Sequence, residues 1–250
     1  MKASISAHTS TSSPTLRRTP VPKSRPLILS SASIAALRRG LKTQTRRVIV
    51  SHFDELIICF PAGSLGQRTG WSVANLCNGE AHIRTLRCPY GEVDDRLWIR
   101  EAWRVEARRL HRKGPPTYLL DYAADPGTPT LTATDHPDAA RYATTRAGYR
   151  SPRYMPRWAS RWEMAITALR PERLQDISEA DARAEGVTPM LRAHLYGVAA
   201  NDAAPLDGRL HISYRNGYAT EWDRLNARRG YPWANNDWVW VIGLTLVEAT

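Results

Sequence analysis

Lys42, Thr43, Thr45, Arg46 and Arg47 crowd one short stretch, Gly40-Leu41-Lys42-Thr43-Gln44-Thr45-Arg46-Arg47, which contains no acidic residue. Cationic side chains this close repel one another, so the stretch calls for an anionic or strongly polar partner. A solvated basic loop is the plain alternative, because most charge runs are simply hydrated. A second unusual residue lies far along the chain. Glu185 ends a helix that starts at Ser178, at the terminus where the macrodipole is negative and a carboxylate costs about 0.3 kcal/mol or more. A nearby cation would offset that cost, and the Lys42 stretch is the candidate. A glutamate in solvent, screened by salt, is the alternative.

The elements that must position these residues can be read around them. Ile34, Leu37 and Arg38 recur at helical spacing, with Ser30 or Ser33 as N-cap and Gly40 as the left-handed residue that stops the helix. Val48-Ile49-Val50 reads as the start of a strand. Arg96-Leu97-Trp98-Ile99-Arg100-Glu101 alternates, so Leu97 and Ile99 face a core while Trp98 and Arg100 share the polar face. After Arg157, Trp162 to Leu169 alternates again, and Pro171 is expected to stop that strand. Ser178 with Asp181 three residues on approaches a capping box. Thr220 opens a last helix in the same manner and Gly230 ends it. Trp238 to Leu246 is apolar throughout, as a central strand would be.

Residues 1–25, rich in Ser, Thr, Pro and basic residues and free of acids, read as a disordered tail. An organelle transit peptide shares that composition, but the prolines at 14, 20, 22 and 26 break any amphipathic helix. Residues 26–250 form one domain. Two poorly patterned insertions, near 106–150 and 190–215, are expected to have little order apart from Tyr118 to Tyr122. Leu56 to Phe60 reads as a short buried strand within an otherwise obscure stretch from 51 to 90. Strands with short helices and no βαβ rhythm argue for an α+β domain built on a small, mostly antiparallel barrel or sheet.

Composition narrows the partners. A net charge of +11, mostly from arginine, favours a polyanion, with nucleic acid ahead of a membrane surface. Nine tryptophans against two phenylalanines supply indole faces that can stack on bases or pack in a core. The three cysteines lack C-x-x-C spacing, so neither a disulfide framework nor a standard zinc site is indicated, and Cys77, His82 and Cys88 make a poor ligand set. No apolar run approaches the roughly 20 residues of a membrane span. A soluble protein of a reducing cytoplasm, without metal or cofactor, is expected.

These residues resemble a known family. GLKTQTRR after a short helix looks like the G-x-K-T-x-x-x-R signature of ASCH domains, in the PUA-like superfamily, and in particular the ASCH-like proteins of bacteriophage and prophage genomes. The resemblance covers about half the chain, in order: Arg25 to Val50, Cys88 to Glu101, Met155 to Arg161, Leu174 to Val187 and Trp238 to Ile242. Where relatives carry Pro-Gly-Asp-Arg-Leu-Trp, this chain reads Val93-Asp94-Asp95-Arg96-Leu97-Trp98, so the turn before that strand is expected to differ.

The resemblance implies a PUA-like small β-barrel with short flanking helices, in a bacterial or phage-infected cytoplasm. It implies a cleft that binds RNA or a modified nucleoside, with Thr43, Arg46, Arg47, Trp98, Arg100 and Arg157 as contacts. One branch of the family hydrolyses the acetyl amide of N4-acetylcytidine, and Lys42, Thr45 and Glu185 match its lysine, threonine and glutamate. Thr45 would be the nucleophile and Lys42 its base, with a pKa lowered by burial and neighbouring cations. Glu185 would orient the lysine or protonate the leaving amine, while Arg46 or a backbone N–H holds the oxyanion. Ribonuclease activity, or a non-catalytic phage interaction module, are the other readings. Removing a polar cleft residue is expected to leave stability nearly unchanged.

Overall fold

Strands whose apolar residues recur at every second position build the main sheet, and short helices close its faces. The computed structural model describes residues 21–50, 57–62, 70–77, 80–108, 116–125, 132–143, 148–193 and 210–247. Its first half contains β1 (Ser24–Ile28), α1 (Ser31–Arg38), β2 (Gln44–Val48), β3 (Ile57–Ala62), β4 (Gly70–Cys77), β5 (Glu80–Leu86), β6 (Arg96–Arg100), β7 (Trp103–Arg108) and β8 (Thr117–Tyr122). β9 (Thr132–Thr134), α2 (Ala139–Tyr142), β10 (Glu163–Arg173), α3 (Glu179–Ala184), β11 (Met190–Ala193), β12 (Leu210–Ser213), α4 (Tyr214–Asn226) and β13 (Trp238–Leu246) follow. The class is mixed α+β.

The main sheet has the order β1-β6-β10-β13-β2. Its β1–β6 pair is parallel and the other pairs are antiparallel. One face carries Leu27, Leu97, Ile99, Met164, Ile166, Trp240, Ile242 and Leu244, closed by Ile34 and Leu37 of α1. Burying each such aliphatic side chain stabilises the fold by about 1.5–3 kcal/mol. The other face presents Val239 and Val241 to Ala182 of α3 and to Tyr218 and Trp222 of α4. The terminal strands β1 and β2 do not pair, but the Arg47 Nη2 donates to the Ile28 carbonyl at 2.6 Å, so the sheet curls until its two edges approach. Among the described residues it remains an open sheet.

Several expectations need correction. The strand read at Val48 begins four residues earlier, at Gln44, because Thr43 and Thr45 to Val48 already pair with β13. Pro171 does not stop β10, which continues to Arg173. β6 pairs with β10 only at Glu163 to Ala165, so beyond that point β10 is open on one side and a missing N–H breaks no ladder. Ser178 caps α3 through the Asp181 N–H, yet the Asp181 carboxylate turns to Arg46 and Arg170 instead of completing a capping box. The last helix starts at Tyr214 with Ser213 as its N-cap, which leaves Thr220 inside it, its hydroxyl donating to the Asn216 carbonyl. The turn before β6 places Asp94 at φ 73°, the left-handed conformation that the glycine of Pro-Gly-Asp-Arg-Leu-Trp would adopt freely.

The described residues of the first insertion form regular structure. β7, β8 and β9 form an antiparallel sheet whose core holds Trp103, Val105, Leu120 and Tyr122 against Met155 and Ala159. Arg161 grips Glu101 with two bonds, of 2.8 and 2.9 Å, and both Arg161 and Arg38 of α1 pair with Asp125. These bonds fix that sheet to the main body. β3, β4 and β5 make a separate antiparallel sheet that continues through Pro61, while the burial read for Leu56 to Phe60 lies outside the described residues. β11 and β12 pair antiparallel within the second insertion. Residues 1–20, most of the tail, and the side chains of Cys77 and His82 also lie outside the described residues.

Candidate functional site

Two helix ends and one edge strand build the site. α1 stops at Gly40, whose φ of 67° lets its N–H reach the Leu37 carbonyl while the Leu41 N–H reaches Ala36. The chain then enters β2 with Thr43 stapled on both sides. Its N–H donates to the Ala184 carbonyl of α3, and its carbonyl accepts from the Leu244 N–H of β13, both at 2.8 Å. Beyond α3, Gly186 has φ 77°, and a Cβ there would lie 2.6 Å from the Ala36 Cβ and 3.0 Å from the Lys42 Cβ. Only glycine permits that approach, and the approach brings Glu185 against Lys42.

Lys42 Nζ donates to Glu185 Oε2 at 2.8 Å and to the Glu185 carbonyl at 2.9 Å. Both side chains are only 4% exposed. The carboxylate at the negative end of α3 therefore has its cation, and the ammonium keeps one hydrogen for a ligand. Arg46 is fully buried and held by three carboxylates: Glu172 at 2.8 Å, Glu185 at 3.3 Å and Asp181 at 3.4 Å. Burial opposes its charge, but Glu185 and Glu172 outweigh burial and raise its pKa. Arg170 closes the cluster by pairing with Glu172 and Asp181. The anion that the basic stretch called for is thus supplied largely by the chain itself. The Nε atoms of Arg46 and Arg47 remain buried without an acceptor among the described residues.

These side chains border a cleft of about 390 Å³ along β2. Its walls come from the end of β1 and the start of α1 (Ile28, Ser30, Ser33), from Lys42, Thr45, Arg46, Arg47 and Glu185, and from α4 (Tyr218, Glu221, Trp222). Thr45 pairs with Ile242 and Arg46 with Val241, so the two project from opposite faces of the sheet. The bonds from Leu244 N–H to Thr43 and from Ile49 N–H to Trp238 set the ladder phase. In that phase Arg46 and Val48 turn their backbone N–H and C=O groups away from β13, toward the open edge. Thr45 is buried, and its hydroxyl has no hydrogen-bond partner among the described residues. Arg47 adds a guanidinium 6.0 Å from the ring centre of Tyr90, another wall residue.

Lys42, Thr45, Glu185, Arg46 and Arg47 all line this one cleft, and only Lys42, Glu185 and Arg46 touch one another. The other predicted contacts do not join them. The Thr43 side chain is exposed, and its part is played by its backbone. Trp98, Arg100 and Arg157 form a separate cluster, with the two guanidiniums 4.6 and 5.8 Å from the centre of the indole. Arg157 also pairs with Glu163 at 2.7 Å. Trp98 is 8% exposed, so its ring is packed under its own chain rather than offered to the cleft. Glu172, Asp181 and Tyr218 were missed from the sequence. Tyr214, Tyr218 and Trp222 recur at i, i+4 and i+8, a signal that would have extended α4 back to Ser213 and set Tyr218 on its buried face.

No described helix is long and apolar enough to cross a membrane, and no group of three or more metal-ligating side chains occurs among the described residues. No protein-family model matches the chain, and neither a curated protein nor a solved structure is significantly similar to it.

Proposed function

We propose that this chain is an ASCH-like protein of the PUA-like superfamily whose cleft along β2 binds a modified nucleoside, free or within RNA. The observation that carries the reading is the buried Lys42–Glu185 pair facing the same cleft as Thr45. The curled sheet, with Arg47 spanning its two edges, supports the superfamily assignment. The cleft volume of about 390 Å³ supports a small ligand, because such sites usually enclose about 300–1,000 Å³. Aromatic rings of Tyr90, Tyr218 and Trp222 around polar groups suit a base. Calorimetric titration of N4-acetylcytidine and cytidine into wild type and Lys42→Ala tests the reading. Wild type binds the acetylated nucleoside and Lys42→Ala binds at least tenfold more weakly. Equal binding by the two proteins, or none by wild type, refutes it.

Amide hydrolysis is the second reading, favoured by Thr45, whose hydroxyl has no partner among the described residues and which lines the same cleft as the buried ion pair. Arg46 is itself neutralised by carboxylates, so a free amine arises when Lys42 hands a proton to Glu185 across their 2.8 Å contact. That amine takes the Thr45 proton as the threonine oxygen bonds to the amide carbon. Collapse of the adduct breaks the C–N bond, and the proton passes to the leaving amine. Water then cleaves the threonine ester by the same relay. Acetate release by wild type, abolished in Thr45→Val and partly kept in Thr45→Ser, is the expected result. If wild type releases no more acetate than Lys42→Ala while both are folded, the protein binds without chemistry.

A further inference from the structure

Tyr218 is a buried titratable group at the cleft that neither the ion-pair cluster nor the proton relay uses. It lies on α4 and borders the cleft with Lys42, Thr45 and Glu185. Its ring is fixed on three sides, by Trp222 at 6.1 Å, by Trp233 at 6.2 Å and by the Arg46 guanidinium at 5.9 Å. Gly217 locks the helix beside it, since a Cβ there would stand 2.2 Å from the Thr188 carbonyl oxygen. The residue is only 5% exposed. Yet its hydroxyl makes no hydrogen bond to any described residue, and it is not among the sealed polar atoms that lack a partner. A rigid phenol with an open hydroxyl at a cleft is a pre-placed donor.

The surroundings decide what it donates to. Lys42 and Arg46, the cations nearest the Tyr218 ring and Glu185, are already balanced by Glu185, Glu172 and Asp181, while Arg47 and Arg229, which have no ion pair among the described residues, lie elsewhere in the wall. Burial first, and the Glu185 carboxylate second, raise the Tyr218 pKa well above its usual value, so the group stays an O–H donor at neutral pH. Its natural partner is an uncharged acceptor.

We propose that the Tyr218 hydroxyl donates a hydrogen bond to the carbonyl oxygen of an uncharged acyl-amide group on the ligand. It thereby takes the role that the resemblance gave to Arg46 or a backbone N–H, and it selects the acylated nucleoside. The inference rests on the nucleoside reading of the cleft.

The test compares N4-acetylcytidine with N4-ethylcytidine, which replaces the carbonyl by a methylene, in binding to the full chain. Thr45→Val serves as the background so that the amide is not turned over. With Tyr218 present, the acetyl compound binds about three- to tenfold more tightly, the range expected of one neutral hydrogen bond. Adding Tyr218→Phe removes that preference and leaves affinity for the ethyl compound unchanged. Melting temperature does not fall, because the lost hydroxyl had no partner among the described residues. A preference that survives Tyr218→Phe overturns the inference while leaving the nucleoside reading intact. Failure of the Tyr218-containing protein to bind either compound overturns both. Should Tyr218→Phe unfold the protein, the hydroxyl is structural and the inference also fails.

Discussion

Lys42, Glu185 and Arg46 are more than a surface device, because all three are buried and share carboxylates. Breaking a buried ion pair from one side leaves the other charge without compensation, at a cost of about 3–5 kcal/mol. The two sides are not equivalent here. Glu185→Gln leaves Lys42 with no negative partner, only neutral oxygens, and deprives Arg46 of one of its three carboxylates. Lys42→Met leaves Glu185 with Arg46 at 3.3 Å. Denaturant titration should therefore find Glu185→Gln destabilised by about 3 kcal/mol or more, and Lys42→Met by clearly less. The sequence-based expectation that such changes spare the fold does not survive the burial of these groups. Equal losses from the two variants would show that Arg46 contributes nothing to Glu185.

The elements meet where two helices end. Gly40 and Gly186 both take left-handed conformations, but their surroundings differ. A Cβ on Gly40 meets nothing within 4 Å, whereas one on Gly186 runs into Ala36 and Lys42. Gly40→Ala should lose only the conformational term, about 1 kcal/mol. Gly186→Ala adds overpacking worth about 1–3 kcal/mol and pushes the end of α3 off Lys42. Its thermal midpoint should fall well below that of Gly40→Ala, and nucleoside affinity should fall with it. If Gly186→Ala binds ligand like wild type, the approach of α3 to Lys42 does not set the site.

On the scale of the whole molecule, the parallel edge strand β1 is held by two acids. Asp95 accepts from the Lys23 N–H and the Arg25 guanidinium, both at 2.8 Å. Glu163 accepts from the Ser24 hydroxyl at 3.1 Å and from Arg157 at 2.7 Å. Burial alone would raise both pKa values. For Asp95 the Lys23 N–H and Arg25, and for Glu163 chiefly Arg157, outweigh burial and hold each below its ordinary range. A carboxylate with a depressed folded pKa adds stability above its unfolded pKa, and that stability is lost as pH falls through the folded value. The gap in denaturation midpoint between wild type and Asp95→Asn should be full at neutral pH and close below about pH 4. A gap that persists into strong acid would mean that the clamp is not ionic. The net charge of +11 acts at the same scale, because binding to an RNA strand should weaken steeply with salt while binding of an uncharged nucleoside should not.

What the sequence determined by itself was local. A serine cap for α1 (Ser30, of the two candidates), the Gly40 stop, the alternation of Leu97 and Ile99 and the apolar run from Trp238 follow from period, capping and conformational freedom, each within one turn or one strand. Even the pairing of Lys42 with Glu185 could be anticipated, since a carboxylate at the wrong end of a helix needs a cation. Only the tertiary structure decided the rest. Arg46 and Arg47 are neighbours of like charge in the sequence, yet strand geometry sends Arg46 into three carboxylates and Arg47 toward Ile28. Trp98 alternates with the core residues like any cleft wall, but Arg100 and Arg157 cover it. Trp103 and Val105 needed Met155 and Ala159, some fifty residues away, to become a core at all. Tyr218 comes to the cleft because α4 packs back over β13 beside α3, a contact that no local pattern encodes. Burial and charge pairing depend on which distant residues share a space, and that is settled only when the sheet curls and its two edges approach.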